Sequence, residues 1–178
     1  MYKNFDLNLG QISTIFFDVD GTFTDGSLYF MDNGYSMIKF NVHDGMGCIL
    51  LEESGLELLI LTARHSEAVV QRFKEMGITK IFTKVLKKRD FIKDYLKSHD
   101  LAKHEVAFMG DDLQDLAAIN EVGVFFTSSN AIDIVKESAH YVTLRSGGNG
   151  AVREISDLII HSKGSTPLLE FNRYLKKR

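Results

Sequence analysis

Short apolar segments alternate along this chain with longer amphipathic segments. The run ISTIFF at residues 12–17 and the run LELLILT at 56–62 are mostly apolar, without the regular polar alternation of a half-exposed strand. Such runs are typical of parallel strands covered on both faces, and parallel strands need crossover connections, usually helices. The sequence therefore predicts an α/β fold of three layers, in which helices flank a doubly wound parallel sheet.

The remaining elements follow from turn residues and from the spacing of apolar side chains. Segments 27–32 and 36–42 flank Asn33-Gly34, a dipeptide that favours a two-residue β-hairpin turn. Further strands are predicted at 80–85, 105–110, 122–126 and 140–144, and helices at 44–54, 66–76, 88–98, 112–121, 131–137 and 150–162. The hairpin, 27–42, is thus an insertion after the first strand, and residues 163–178 form a tail without an obvious partner in the core.

Composition and charge narrow the class of protein. The 178 residues are 44% hydrophobic and 25% charged, which is ordinary for a globular protein and fits a single domain over residues 1–178. The net charge of -3 gives no basic field that would attract nucleic acid. The cationic stretch 84–93 contains Asp90 and is interpreted as a solvated helix face that could still supply one functional lysine.

The sequence also lacks the marks of export and of membrane insertion. Cys48 is the only cysteine, so no internal disulfide can form, and its apolar neighbours favour a core position over a nucleophile. The first residues carry no apolar segment typical of a signal peptide, and no stretch approaches about 18 apolar residues. We therefore expect a cytoplasmic protein without a membrane span.

Polar side chains follow four of the predicted strands, at the point where each strand ends. Asp18 and Asp20 follow the first strand, and Thr62 and Arg64 follow the second. The third and fourth ends carry further candidates: Lys87, Lys88, Asp111, Asp112 and Asp115. Ligands of open parallel α/β sheets bind at the carboxyl ends of the strands. The shared location indicates a functional site more strongly than any one of these residues does.

Asp18, Asp20 and Asp111 would bring like charges together at this edge, which calls for a bound cation. Carboxylate oxygens without histidine or cysteine favour a hard ion, and Mg²⁺ is the usual choice. Such a cluster beside a lysine and a threonine hydroxyl is suited to phosphoryl transfer. One carboxylate could attack phosphorus, and another two residues away could protonate the leaving oxygen and then activate water.

The motifs DVDGT (18–22), Thr62, a lysine before a helix and GDDLQD (110–115) resemble, in this order, the four motifs of the haloacid dehalogenase superfamily. The resemblance implies a Rossmann-like core and an aspartyl-phosphate intermediate. It implies these roles: Asp18 as nucleophile and metal ligand, Asp20 as general acid/base that binds Mg²⁺ through its backbone carbonyl, Thr62 on the phosphate, Lys88 (or Lys87) as the motif-three lysine, and Asp111 as metal ligand.

Further stretches resemble a narrower family, the phosphatases of 3-deoxy-D-manno-octulosonate 8-phosphate and of nonulosonate 9-phosphates. These stretches are TDG (24–26), FNVHDGMG (40–47), TARHSE (62–67) and GGNGAVRE (147–154). The resemblance covers residues 12–162 and implies a small enzyme without a cap domain that forms a homotetramer. It also implies that the hairpin packs between subunits and that a neighbour's C-terminal tail helps to complete each site.

The sequence departs from this family in two places. Thr22 stands where valine is frequent, and Thr62-Ala63-Arg64 stands where Ser-Gly-Arg is frequent. Thr62 keeps the hydroxyl, so the expected phosphate contact is retained. Arg64 matches the octulosonate enzymes, whereas some nonulosonate phosphatases carry glutamate there. The octulosonate 8-phosphate is therefore the favoured substrate, and a nonulosonate 9-phosphate is the alternative.

Several residues near the motifs have both a structural and a functional interpretation. Asp112 could bind the metal or start the next helix, whereas Asp115 is expected to orient the site from behind the ligands. Asp25 could serve the hairpin turn or contact the substrate. His43 is a candidate substrate contact, and Asp44 is a plausible N-cap of the helix that follows.

Two arginines and a glycine-rich loop remain open in the same way. Arg64 could contact an acidic sugar or lie at the surface. Arg153, in the first turn of the helix at 150–162, could serve a subunit interface or the substrate carboxylate. The glycines of 146–150 could form only a loop, or their backbone could admit a neighbour's tail.

Receiver domains of response regulators are a distant alternative, because they also gather aspartates, a threonine and a lysine around Mg²⁺. A receiver carries its phosphoacceptor alone after a middle strand, whereas here Asp20 follows Asp18 after the first strand. A non-catalytic relative of the phosphatases is a third alternative, although all the catalytic residue types are present. The sequence therefore favours a Mg²⁺-dependent phosphomonoesterase acting on a phosphorylated sugar acid.

Overall fold

The fold is built on a six-stranded parallel sheet, and the computed structural model describes residues 7–34 and 36–178. The strands are β1 (Thr14–Phe17), β2 (Tyr29–Phe30), β3 (Ser36–Met37), β4 (Glu57–Leu61), β5 (Ile81–Phe82), β6 (Val106–Met109), β7 (Val124–Thr127) and β8 (Tyr141–Val142). The sheet order is β5-β4-β1-β6-β7-β8, and each neighbouring pair is parallel. The chain winds outward from β1 to β5 and then outward from β6 to β8, so the predicted doubly wound topology is confirmed.

Seven α-helices were found in the described part of the chain. They are α1 (Val42–Glu53), α2 (Glu67–Glu75), α3 (Lys88–Ser98), α4 (Leu113–Leu116), α5 (Asp133–Ser138), α6 (Ala151–Ser162) and α7 (Pro167–Lys176). The prediction of one helix over 112–121 is wrong, because a 3₁₀ turn, Ile119–Glu121, follows α4.

The two faces of the sheet carry separate layers of apolar side chains. Ile15 and Phe17 of β1 pack on one face with α1, α2 and α6, whereas Phe16 packs on the other face with α3 and α5. All four residues of β1 are buried, which explains why the strand reads as a continuous apolar run. Cys48 is buried in the first layer, and burial raises the pKa of its thiol well above the usual value, as expected of a core cysteine.

The hairpin inserted between β1 and α1 has a shorter ladder than the sequence predicts. Tyr29 pairs with Met37 and Phe30 pairs with Ser36 in antiparallel register, and Gly34 in the turn has a φ of 82°. The side chains of both strands are exposed. A two-stranded hairpin without a core to pack on is only marginally stable, so pairing is confined to the residues near the turn.

Residues 163–178 are not an unattached tail, and the expectation that they lack a partner in the core is wrong. The hydroxyl of Thr166 caps α7. Phe171 packs against the core layer that contains α1 and α6, and Glu170 is fully buried. The basic residues between the apolar ones hide this packing face in the sequence.

Between Phe17 and Val42 the chain forms the hairpin, and the described residues contain no cap domain over the sheet. No helix within 7–34 and 36–178 has the length and apolarity to cross a membrane. The signal-peptide expectation rests on residues 1–11, of which the first six lie outside the described residues.

Candidate active site

The predicted site residues gather where the winding of the sheet reverses, between β1 and β6. Asp18 follows β1, and its backbone N–H donates to the carbonyl of Met109 at 2.9 Å, so the ladder with β6 reaches this residue. Thr62 extends β4 in the same way, because its N–H donates to the carbonyl of Phe82 at 3.0 Å. The regular sheet therefore fixes both backbones at the edge where open α/β sheets bind ligands.

Lys88 lies between two carboxylates. Its Nζ is 2.5 Å from Asp18 Oδ1 and 2.5 Å from Asp115 Oδ1, and its side chain is 3% exposed. Lys87 is exposed and precedes the first residue of α3. The structure thus brings Lys88, and not Lys87, into contact with the candidate nucleophile.

The charges of this group depend on one another. Burial raises the pKa of Asp18 well above its usual value and the Asp115 carboxylate adds to this, while Lys88 opposes both. Burial alone would lower the pKa of Lys88, but the carboxylates of Asp18 and Asp115 outweigh it and raise that pKa. Lys88 therefore stays protonated and supplies a fixed positive charge beside Asp18.

Asp112 and Asp115 have different surroundings. Asp112 is exposed and is the N-cap of α4, since its Oδ1 accepts from Leu113 N at 2.7 Å. Asp115 is 1% exposed, and its Oδ2 accepts from the backbone N–H of Asp111 at 3.0 Å and of Asp112 at 3.2 Å. With Lys88 on its other oxygen, Asp115 orients both the lysine and the loop that carries Asp111.

Asp18, Asp111 and Asp115 form an acidic cluster that could hold a metal ion, with one oxygen of each lying within 4.8 Å of the others. Burial raises the pKa of Asp111 to about 7, and the Asp115 carboxylate contributes. Within the described residues, the buried Oδ1 of Asp111 has no hydrogen-bond partner. Leaving such an oxygen unpaired is costly, and a divalent cation would satisfy it. This all-oxygen donor set fits Mg²⁺.

Asp20 lies apart from the acidic cluster and faces the opening. Its side chain is 35% exposed, and its Oδ1 is 3.7 Å from Arg64 Nη1. Thr62 is buried, and its Oγ1 accepts from the backbone N–H of Arg64 at 3.2 Å. The half-exposed carboxylate of Asp20 is accessible to a substrate or water from the opening, while the metal contact through its backbone remains a prediction.

A cleft of about 290 Å³ is lined by these residues. Gly26 just before the hairpin, Leu28 within it and Gln114 of α4 also line the cleft, and the sequence interpretation gave them no role in the site. Gln114 could have been noticed as a polar residue within GDDLQD, whereas the hairpin contacts depend on how the insertion folds back. A neighbouring cleft of about 480 Å³ shares Asp20, Thr62 and Arg64 with the first and extends between the hairpin and the start of α2.

Three predicted substrate contacts do not line the cleft of their own chain. Asp25 Oδ1 accepts from Ser27 N at 2.9 Å, and this hydrogen bond lowers the pKa of Asp25, so the residue supports the hairpin turn. His43 is exposed in the first turn of α1. The Nε of Arg153 donates to Asp157 Oδ1 at 2.8 Å along α6.

The expectation that Asp44 caps α1 is wrong. The helix begins two residues before Asp44, and its N-cap is Asn41, whose Oδ1 accepts from His43 N at 2.8 Å. Because Asp44 lies inside the first turn on the buried face, its carboxylate reaches the backbone of Gly150 and Arg153 instead.

The fold and the carboxylate–lysine site together define a haloacid dehalogenase-like hydrolase. The model of that family, described in those words, matches residues 74–155. The 3-deoxy-D-manno-octulosonate 8-phosphate phosphatase of Haemophilus influenzae is 32% identical over 162 residues, which cover 91% of this chain and 90% of the relative. The chain therefore belongs to the haloacid dehalogenase superfamily, and within it is related to the octulosonate 8-phosphate phosphatases, which confirms the predicted resemblance.

Solved structures agree with this assignment. A putative haloacid dehalogenase superfamily hydrolase from Legionella pneumophila has a TM-score of 0.90 at 37% identity, covering 95% of this chain and 92% of the other. The octulosonate 8-phosphate phosphatase from Moraxella catarrhalis, in complex with magnesium, phosphate and the octulosonate sugar KDO, has a TM-score of 0.86 at 32% identity. The shared region is 96% of this chain and 95% of that one. The receiver alternative is thereby set aside.

Proposed function

We propose that this protein is a Mg²⁺-dependent phosphomonoesterase that hydrolyses 3-deoxy-D-manno-octulosonate 8-phosphate to the free sugar acid and phosphate. The observation that carries the proposal is the buried Lys88–Asp18 pair beside the unpartnered oxygen of Asp111. In this pair, Asp18 is placed as the attacking carboxylate, and the ammonium group of Lys88 is placed to hold the phosphate. The Moraxella catarrhalis relative, bound to magnesium, phosphate and KDO, supports the same substrate class.

In the proposed mechanism a carboxylate oxygen of Asp18 attacks phosphorus, and the bond between phosphorus and the sugar oxygen breaks. Asp20 donates a proton to that oxygen as it leaves, while Lys88 and Thr62 hold the phosphoryl oxygens. Asp20 then removes a proton from water, which cleaves the aspartyl-phosphate and regenerates the Asp18 carboxylate. A magnesium ion held by Asp18, Asp111 and the backbone carbonyl of Asp20 would supply charge neutralisation for the phosphoryl group.

Arg64 favours the octulosonate substrate over the alternative, a nonulosonate 9-phosphate. Octulosonate phosphatases carry arginine at this position, whereas some nonulosonate phosphatases carry glutamate. Arg64 lines both clefts, where its guanidinium can bind the carboxylate that either sugar acid carries. The phosphate would occupy the first cleft, and the larger second cleft has room for the rest of the sugar acid.

We further propose a cytoplasmic homotetramer whose sites are completed by neighbouring subunits. The hairpin exposes a run of large apolar side chains, which favours burial against another copy. These side chains are Leu28, Tyr29, Phe30, Met31 and Met37. In α7, which packs on its own chain, Leu168, Leu169 and Leu175 are exposed and are available to a neighbour. Because His43 and Arg153 do not line the cleft of their own chain, they would contact substrate only in the cleft of a neighbouring subunit.

The proposal is tested by measuring phosphate release with Mg²⁺ across a panel that holds octulosonate 8-phosphate, nonulosonate 9-phosphates and simple hexose phosphates. We expect the highest kcat/KM on the octulosonate ester. The Asp18→Asn variant is the control for contaminating phosphatases. A higher kcat/KM on a nonulosonate ester would replace the substrate assignment, and a wild-type protein that releases no phosphate from any ester would contradict the function.

A further inference from the structure

Asp44 is a buried carboxylate that the proposed mechanism leaves without a role. It lies in the first turn of α1 and is 1% exposed. Its Oδ2 accepts from Gly150 N at 3.1 Å, and its Oδ1 accepts from Arg153 N at 2.9 Å. Gly150 is the N-cap position of α6 and has no side chain to cap the helix. Asp44 therefore supplies, from another helix, the acceptor that an N-cap residue normally carries.

The glycine loop, residues 146–150 in front of α6, packs against the turn that follows β1. Gly148 N donates to the carbonyl of Thr22 at 3.0 Å. A Cβ at Gly147 would lie 1.8 Å from the carbonyl oxygen of Gly21, so only glycine allows this approach. Gly147 thus allows a close approach within the chain itself, and the interpretation that the loop admits a neighbour's tail stays a prediction.

The same turn belongs to the acidic cleft. Gly21 directly follows Asp20, and a Cβ at Gly21 would lie 2.0 Å from Asp111 Oδ2. From another side, Ser128 Oγ donates to the carbonyl of Gly21 at 3.2 Å. The turn is therefore held between Asp111, Ser128 and the glycine loop, and a displaced loop would shift Asp20 relative to Asp111.

We propose that Asp44 is a positioning residue for the cation site, acting through the start of α6 and the glycine loop on the turn that carries Asp20. The inference rests on the proposed function, because it takes the cleft to bind Mg²⁺. Loss of the Asp44 carboxylate leaves the N–H groups of Gly150 and Arg153 without their acceptor, and the glycine loop loses its fixed end. Mg²⁺ then binds more weakly and kcat falls.

Substrate affinity should respond differently, because the residues expected to hold the substrate are positioned by other elements. Thr62 is fixed by the sheet, Arg64 by its hydrogen bond to Thr62, and Lys88 by Asp115. The KM for the sugar phosphate should therefore stay within about twofold at saturating Mg²⁺, since losing an interaction that orients the reacting groups affects kcat more than ground-state binding.

The test compares full-length Asp44→Asn and Asp44→Ala with a matched control, Glu57→Gln. Glu57 also accepts two hydrogen bonds, from Lys80 and Tyr95, but it begins β4 at the opposite edge of the sheet. Titration calorimetry gives the Kd for Mg²⁺ without substrate. We expect that Kd to rise roughly tenfold in Asp44→Ala, the lower end of the range for groups that orient metal ligands directly, because Asp44 acts on Asp20 through the glycine loop. It should rise less in Asp44→Asn, which keeps one acceptor, and stay unchanged in Glu57→Gln.

Wild-type affinity for Mg²⁺ in Asp44→Ala, together with a lower Tm, would reduce Asp44 to a structural cap and overturn the proposal. If that variant does not fold, Asp44→Asn and Gly148→Ala decide. A Cβ at Gly148 would lie 2.6 Å from Asp25 N, so it would push the loop off the turn while Asp44 stays intact. Unchanged Kd in both variants overturns the proposal.

Failure of the proposed function can be told apart from failure of this inference. If the wild-type protein binds Mg²⁺ but hydrolyses no phosphosugar, the phosphatase assignment is wrong. The comparison of Kd values for Mg²⁺ still tests the role of Asp44 in that case. A wild-type protein that binds no Mg²⁺ overturns the inference and removes the metal from the proposed function.

Discussion

A lysine contacts carboxylates at each of two edges of the sheet: the amino-terminal edge, where the strands begin, and the carboxyl-terminal edge, where they end. Positive and negative charges balance only at the amino-terminal edge. At the amino-terminal edge, Lys80 contacts Glu57, and the hydroxyl of Tyr95 donates to Glu57 Oε2 at 2.8 Å. At the carboxyl-terminal edge, Lys88 faces Asp18 and Asp115, and Asp111 lies in the same cluster. The lysine thus contacts one carboxylate at the first edge, and two at the second, where a third carboxylate lies in the same cluster.

The pKa values of the carboxylates respond in opposite directions. Burial alone would raise the pKa of Glu57, but hydrogen bonds from Lys80 and Tyr95 outweigh it and hold that pKa below its usual value of 4.5. Burial raises the pKa of both Asp18 and Asp111, and neighbouring carboxylates add to the effect. The amino-terminal cluster supports folding, whereas the carboxyl-terminal cluster has excess negative charge that is suited to binding a cation.

The largest expected difference between the two edges is in turnover. Asp18→Asn should lower kcat by at least about a thousandfold, because the amide oxygen cannot replace the attacking carboxylate. Glu57→Gln should keep kcat within about twofold, since Glu57 lies away from the cleft. Steady-state phosphate release measures both, with circular dichroism to show that each variant is folded. Substantial turnover by Asp18→Asn would remove Asp18 from the nucleophile role.

Removing the lysine from each edge compares a buried pair with an exposed one. Lys88→Met should destabilise the metal-free protein by about 3 kcal/mol, because it leaves buried carboxylates uncompensated. Lys80→Met should cost at most about 1 kcal/mol, since its side chain is 38% exposed. Urea unfolding in EDTA measures both free energies. Equal losses in the free energy of unfolding would show that the deeper burial of Lys88 does not make its removal more destabilising than that of Lys80.

Mg²⁺ should stabilise the folded protein through the carboxyl-terminal cluster and not through the amino-terminal one. At about one hundred times Kd it adds about 2.7 kcal/mol to the free energy of unfolding, or roughly 5 to 10 °C in Tm. Asp111→Asn should lose most of this shift, because the unpartnered oxygen is the expected ligand, and Glu57→Gln should keep it. Thermal scans with Mg²⁺ and with EDTA give the shifts. An undiminished shift in Asp111→Asn would place the metal elsewhere.

The smallest expected effect is the pH dependence of the amino-terminal cluster. The pKa of Glu57 is lower in the folded than in the unfolded chain, so its contribution is present above about 4.5 and is lost as pH falls through the folded value. Glu57→Gln should therefore lose less than about 1 kcal/mol at pH 7 and nothing below the folded pKa. Urea unfolding at several pH values measures this, and a loss that persists at low pH would assign the effect to packing.

The sequence predicted the sheet and the motif positions well for a local reason. The four central strands of the sheet, β1, β4, β6 and β7, are buried on both faces and contain few polar residues, so each is recognisable without knowing its neighbours. The start of α3 at Lys88 and the polar ends of β1, β4 and β6 follow from the same local signals. By contrast, α7 and the break after α4 were missed, because both depend on where the chain must pack or turn next.

Sequence alone thus determined the doubly wound α/β fold, the family, and the residues that meet at the carboxyl-terminal edge, because periodicity and motif order are properties of the chain. Only the tertiary structure decided which charged and polar groups from distant segments contact one another. It placed Lys88 rather than Lys87 against Asp18, and it turned Asp44 from its own helix to α6. Hydrogen bonds and burial between segments far apart in the chain set these roles, and no local pattern in the sequence encodes them.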